Sequence, residues 1–310
     1  MKLKIWSALI AVYIVWGSTY LAIRFAVESI PPFLMAGVRF LMAGTILFTV
    51  RRLLGDPLPT RREWKSAAIV GLFLLVGGNG GVSWAEQRVD SGIAALVVGA
   101  SPLWMVLLDA IRPHGIRPGW LVLVGVLIGF SGIALLVGPG QWSGSETKVD
   151  ALGVAALLLG TFLWAAGSLY SRTACLPRSA LMGTSAEMLC GGAGLVVLGT
   201  ATGEWGRLDL SAIASRSIWG FLFLVFIGSL VGFAAYTWLL RVAPTPLVST
   251  YAYVNPLVAI FLGNWLASEP LTPRILLAAL VIVSAVVLIN TSRQATVKLA
   301  DARPPEPCAD

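Results

Sequence analysis

Apolar runs about as long as a bilayer is thick, separated by short charged breaks, dominate this chain. A helix needs roughly 20 mostly apolar residues to cross about 30 Å of hydrocarbon. Divided at Pro, Gly and charge clusters, the sequence predicts ten such spans, at about 5–27, 33–53, 66–85, 91–111, 119–139, 151–171, 180–202, 217–240, 246–267 and 274–291. The runs are unbroken, whereas barrel strands alternate polar and apolar over about 10 residues. Helices are therefore expected, and the fold class is an all-α integral membrane protein. Composition agrees: of 310 residues 57% are hydrophobic and only 12% charged, where soluble domains carry about 25% charged residues. The opening MKLK followed by an apolar run imitates a signal peptide. That run lacks a small-x-small cleavage site and is followed by many like it, so it reads as the first span.

Charge placement orients the spans. With the N-terminus inside, the inner breaks hold Lys2, Lys4, Arg51, Arg52, Arg61, Arg62, Lys65, Arg112, Arg117, Arg172, Arg178, Arg241, Arg293, Lys298 and Arg303. The outer breaks hold only Arg88, Lys148, Arg207, Arg216 and Arg274. This bias predicts both termini in the cytoplasm and an even number of spans. It also accounts for the net charge of +7 by attraction to the anionic inner leaflet, with no nucleic acid partner. The tail 292–310, ending ADARPPEPCAD, reads as disordered. Cys175, Cys190 and Cys308 show no paired spacing, so neither a disulfide framework nor a metal site is expected. His114, in the polar break RPHGIRP, reads as a solvated loop residue.

The two halves look related. The segment from Trp84 aligns without gaps to the segment from Trp238, 154 residues later, and matches Pro102 to Pro256. The residues before those prolines, Ser101 and Asn255, are both polar. Gly17, Ser18 and Tyr20 of the first span echo Gly167, Ser168 and Tyr170 of the sixth. Five spans per half is an odd number, so the second half enters the membrane inverted. Inverted repeats are a common transporter build, with substrate held near the midplane between them.

WGSTYLAIRF (Trp16–Phe25), PPFLMAGVRFLMAG (Pro31–Gly44), GGNGGVSWAEQ (Gly77–Gln87) and SGIAALVVGASPLW (Ser91–Trp104) resemble the EamA domain of the drug/metabolite transporter superfamily, nearest its ten-span exporter branch. The resemblance covers two tandem repeats, about 5–138 and 151–291, and is clearer in the first. It implies a bacterial inner-membrane carrier of alternating-access type with a central cavity shared by both halves. Members of the family handle amino acids, other metabolites and some toxic compounds. The family motif includes a basic residue at the position of Arg24 and the carboxylate at Glu86.

Ionisable groups inside a membrane are costly and mark function by default. Arg39 lies about 9 Å inside its span and Glu187 about 10 Å inside its own. Two readings stand: the pair fixes helix packing, binding each other or carbonyls, or they bind substrate or a proton. The sharper expectation is that Glu187 exchanges a proton. Arg24 and Glu86 lie near outer span ends, where anchoring competes with a role at the outer mouth.

Polar-aromatic residues near span centres are the candidates for lining a cavity: Trp16, Ser18, Tyr20, Asn79, Trp84, Trp164, Ser168, Tyr170, Tyr236, Trp238, Tyr251, Tyr253 and Asn255. Aromatic rings combine broad apolar contact with a polar edge. The competing reading is an interfacial aromatic belt. Pro102 and Pro256 each free a carbonyl and kink a span, giving matched bending points. The GGNGG run (Gly77–Gly81) lies inside a span and lacks phosphate-loop spacing, so close helix approach explains it better.

A secondary transporter, which needs no ATP, fits best, since the chain holds no Walker motif. An intramembrane enzyme would show clustered carboxylates or a deep His, and a channel would show a filter or charged ring. The expected partners are a small-molecule substrate, membrane lipid and a candidate proton, with no cofactor, in a monomer or homodimer.

Overall fold

The structure is a computed structural model that describes residues 2–112, 118–137, 149–243, 245–248 and 250–297. His114 and Cys308 lie outside the described residues, as does the chain beyond Val297.

Every regular element among the described residues is helical. In chain order these are α1 (Lys2–Ala26), α2 (Pro32–Leu53), α3 (Arg61–Ala85), α4 (Ser91–Ile111), α5 (Trp120–Val137), α6 (Ala151–Ser171), α7 (Ala180–Ala201), α8 (Ser215–Tyr236, helical on to Val242), α9 (Tyr251–Ala267) and α10 (Pro273–Val297). Nine of them are long and apolar enough to cross a membrane; α9, with 17 residues, is shorter. The ninth apolar run was expected to start at 246, but a short helical turn, Thr245–Val248, precedes α9. At the far end α10 stays helical to Val297, so the tail expected from 292 begins no earlier than 298.

Helix ends show why the breaks fall where they do. Thr60 and Glu63 form a reciprocal capping box that starts α3. Asp150 accepts from the Gly153 N–H at 2.7 Å at the start of α6, and Ser179 does the same for Met182 at 3.4 Å in α7. α2 and α4 have no side-chain cap of their own. α2 opens on Pro32, whose fixed φ suits the first turn. Its free N–H groups are served from the other half: Glu204 accepts from Leu34 at 2.8 Å and Phe33 at 3.3 Å. Glu269 does the same for α4, accepting from Ser91 at 2.8 Å and Gly92 at 3.1 Å. A carboxylate at a helix N-terminus also meets the positive end of the helix dipole.

The helix pairings of one half recur in the other. α2 lies antiparallel against α7, because Leu34 lies by Gly199, Gly37 by Gly192 and Gly44 by Met188. The contacts are reciprocal. A Cβ on Gly37 would meet Val196 and the Gly192 carbonyl, and one on Gly192 would meet Leu41 and the Gly37 carbonyl. The same holds for α1 against α8 and its counterpart α6 against α3. α4 packs on α9 and α5 on α10. α3 and α8 each carry an eight-residue π-helical stretch, Leu72–Asn79 and Leu224–Val231. A π stretch shifts the side-chain register within a helix and is frequent at functional sites. The GGNGG run thus spans the end of the α3 π stretch, where Gly77 and Gly78 pack against Leu163 and Trp164 of α6.

Candidate functional site

Trp16, Tyr20 and Arg24 recur every four residues on α1 and so share one face. This face joins two layers about 12 Å apart along the helix.

The first layer is an aromatic box. Trp16 packs on Phe233 at 5.4 Å, Tyr236 at 4.9 Å and Tyr251 at 5.2 Å between ring centroids. Tyr236 and Tyr251 meet edge-on at 5.6 Å. The geometries are tilted or T-shaped, as ring quadrupoles favour. Beside the box the Tyr13 hydroxyl bonds Thr250, and Asn290 donates to the Tyr253 hydroxyl at 2.6 Å. Asn255 is buried, and with its amide nitrogen turned inward it donates to the carbonyls of Tyr251 and Tyr13, at 3.2 and 3.3 Å. Three of the expected residues thus converge, together with Phe233, which sequence reasoning passed over because an unflagged Phe in an apolar run carries no polar signal.

Other candidates do not join the box. Ser18 donates to its own helix at Val15, 2.9 Å away. Trp84 stacks under the Arg88 guanidinium at 4.7 Å at the end of α3. Tyr170 and Trp238 are exposed, which suits a belt rather than a lining. Trp164 packs on Gly78, and Asn79 and Ser168 are half-buried.

The second layer is charged and enclosed. Glu86, just past the end of α3, is completely buried, and neither of its carboxylate oxygens has a hydrogen-bond partner. Ser83, one turn earlier on the same face, is equally buried with its hydroxyl unpartnered. Arg39 is buried too; its Nε donates to Ser229 on the π stretch of α8 at 3.0 Å, while Nη1 is left without a partner. Arg24 turns its guanidinium to the backbone carbonyls of Glu86 and Val89. Among the described residues no ion pair joins either arginine to the Glu86 carboxylate. Asp90, between α3 and α4, has its carboxyl pushed above the usual range by burial and then by the charge of Glu269.

Arg39 does not pair with Glu187, contrary to one expectation. Because α2 and α7 run antiparallel, Gly44 rather than Arg39 lies level with Met188. Arg39 faces α8 and Glu86 instead. Glu187 is half-buried on α7, where its carbonyl lies against Gly71. The matched prolines sit differently in their helices: at Pro102, α4 is interrupted. The helix breaks at Ala100, and the Ser101 hydroxyl takes up the Val98 carbonyl that Pro102 leaves free. α9 runs through Pro256 without a break, and Gly99 lets the two helices cross there. Glu204 and Glu269 were missed because loop carboxylates read as solvated and Asp90 before α4 has the residue type of a local cap.

The EamA-like transporter family matches this chain twice, over residues 3–138 and 151–291. The chain belongs to that family. The "Uncharacterized inner membrane transporter YedA" of Escherichia coli K12 is 42% identical over 295 residues, covering 94% of this chain and 92% of the relative. An "Uncharacterized transporter" of Archaeoglobus fulgidus is 26% identical over 276 residues, 88% of this chain and 93% of its own. The "WAT1-related protein At3g02690, chloroplastic" of Arabidopsis thaliana is 24% identical over 288 residues, 92% of this chain and 69% of its own. One crystal structure, 19% identical, shares the fold with a TM-score of 0.62 over 95% of this chain and 98% of its own. This family member is accordingly a membrane-embedded transporter homologue with two copies of the family's repeat.

Proposed function

We propose that the chain is a secondary carrier of small organic solutes that works by alternating access in a bacterial inner membrane. In this reading ten helices cross the bilayer with both termini in the cytoplasm, the two repeats are inverted, and the direction is export. The observation that carries it is the reciprocal antiparallel packing of equivalent helices, Gly37 on Gly192 and Gly192 on Gly37. Two halves packed this way have two equivalent arrangements, which a carrier needs. Inverted repeats place substrate near the midplane between the halves. The aromatic box of Trp16, Phe233, Tyr236 and Tyr251, built from both repeats, is the proposed contact surface. Rings with polar edges suit weak, reversible binding of an organic solute.

With both termini inside, the end that carries Glu86, Glu204 and Glu269 faces outward and is closed across the halves. The box lies on the cytoplasmic side of that closed layer, about two helical turns from Arg24 along α1. The structure then corresponds to an outward-closed state, with Pro102 and Pro256 as bending points. The family resemblance supports export, and the inner membrane name of the Escherichia coli relative supports the membrane assigned.

Three measurements test this. Cysteine labelling should place both chain ends on the cytoplasmic side. A screen of amino acids, metabolites and cationic drugs should find a solute that raises the thermal midpoint of the purified protein, because a ligand of the folded state stabilises it by mass action. That solute should then show saturable counterflow in proteoliposomes, and Trp16→Ala should reduce it at least ~10-fold. Ends on opposite faces, or flux without saturation, would refute the carrier reading.

A further inference from the structure

We propose that Glu86 is the proton site of this carrier: its carboxyl binds one proton when the outward end closes and releases it when that end is wetted. Four observations carry it. First, the carboxylate is fully buried and neither oxygen has a donor. An ionised carboxylate with no hydrogen bond in an apolar interior is costly, and such a group usually neutralises itself. Second, the guanidinium groups nearby do not supply the missing bonds. Arg24 spends its guanidinium on two backbone carbonyls, and Arg39 binds Ser229. Third, the enclosure admits a proton rather than a solute. Glu86 lies beneath the outward caps, with the Glu269 oxygens committed to Ser91 and Gly92. Fourth, these caps join the two repeats, so opening them brings water to Glu86.

The charged and titratable groups that face Glu86 come from every element around it. Tyr20 and Arg24 approach from α1, Arg39 from α2, and Glu269 from the connection between α9 and α10. Asp90, at the start of α4, faces Arg24 and Glu269. Glu269 opposes ionisation of Glu86, and the two arginines favour it. This balance is what a reversible site requires, since a carboxyl surrounded by one sign of charge would stay in one state. The step is simple: the carboxylate takes a proton from hydronium or water as an O–H bond forms, and gives it back to water as that bond breaks. Tyr20, on the same face of α1 as Trp16, lies between the proton and the aromatic box. A solute entering the box and a proton on Glu86 therefore act on one helix. Glu187, the earlier candidate, is half-buried and lies away from the caps.

The proposal rests on the carrier reading for its role in transport, but its test needs no substrate. Infrared spectra of the purified protein are recorded across a pH series in H2O and D2O. The parent should show a protonated-carboxyl band that shifts in D2O, persists at a pH where exposed carboxyls are ionised, and vanishes only at higher pH. Glu187→Gln should keep it, Glu86→Gln should abolish it, and Glu86→Asp should move its frequency. Dye-monitored titration should count one proton fewer per chain in Glu86→Gln. An unchanged band in both Glu86 variants would overturn the proposal, as would the absence of any such band in the parent. If Glu86→Gln fails to fold, Glu86→Asp decides alone: an unmoved band refutes the site. Loss of counterflow with the band intact would instead strike the carrier reading.

Discussion

Single side chains here take their meaning from who faces them. Arg39 was recognisable as a deep charge because spacing along a span gives depth, at about 1.5 Å per residue. Its partner was not recognisable, because depth says nothing of direction around the helix or of which helix lies opposite. The structure turns it toward Ser229 on the π stretch of α8 rather than toward Glu187. Replacing Ser229 by Ala should therefore leave a buried Nε–H unpaired, at a cost of about 1–3 kcal/mol. The thermal midpoint of the detergent-solubilised protein should fall, whereas Ser18→Ala, which removes only a bond to its own helix at Val15, should leave it nearly unchanged. Equal midpoints for the two variants would show that Ser229 is not the partner that settles Arg39. The aromatic box follows the same logic. Trp16 was readable as a mid-span aromatic, but Phe233 became part of the site only once α8 was placed beside α1.

At the level of the helix, apolar runs and breaks locate most of the elements, and nine of them have boundaries close to those expected. The exceptions have physical causes. The ninth run extends over 246–267 by hydropathy, yet Thr250 ends a turn and α9 starts at Tyr251. Hydropathy reports solvent preference and is blind to a change of direction within an apolar run. The π stretches were also invisible, since an inserted residue alters register without altering composition. The caps of α2 and α4 come from distant carboxylates, so no local signature marked them. Of the packing glycines the GGNGG run was readable, whereas Gly37 and Gly192 were not. At Gly192 an added methyl would fall 2.9 Å from the Leu41 nitrogen and 3.0 Å from the Gly37 carbonyl, both backbone atoms that cannot swing aside. Gly192→Ala should force α2 and α7 apart and cost about 1–3 kcal/mol, in the range of overpacked cores. Gly206→Ala, which meets open space, is the control and should keep the parental midpoint. Were Gly192→Ala as stable as Gly206→Ala, the helices would not be in the close register described.

For the molecule as a whole, the sequence pointed to a repeat through Trp84 and Trp238, Pro102 and Pro256, and to its bounds through the family resemblance, whereas the contacts that close one end required coordinates. That closure is a set of contacts between halves. Glu204 caps α2, Glu269 caps α4, and the Ala214 N–H donates to the Ser29 hydroxyl at 3.1 Å. Nearby, the Ser217 hydroxyl donates to the Phe25 carbonyl at 2.6 Å, and the Arg216 guanidinium lies over the Phe25 ring at 3.5 Å. If the two halves must part here in each cycle, a covalent tie across the seam should stop transport without unfolding the protein. Ser29 and Ala214 are the pair chosen for it: the Ala214 N–H meets the Ser29 side chain, and a disulfide bridges Cα atoms about 4.4–6.8 Å apart. In a background with Cys175, Cys190 and Cys308 changed to Ala, the Ser29→Cys, Ala214→Cys pair should form the bond on mild oxidation. Counterflow of the solute found by thermal stabilisation should then drop at least ~10-fold and return on reduction, while each single Cys variant stays active. If Glu86 is the proton site and is wetted through this seam, the same tie should slow proton release from Glu86 on a jump to high pH. Full transport by the bridged protein would mean that the outward end opens elsewhere or not at all.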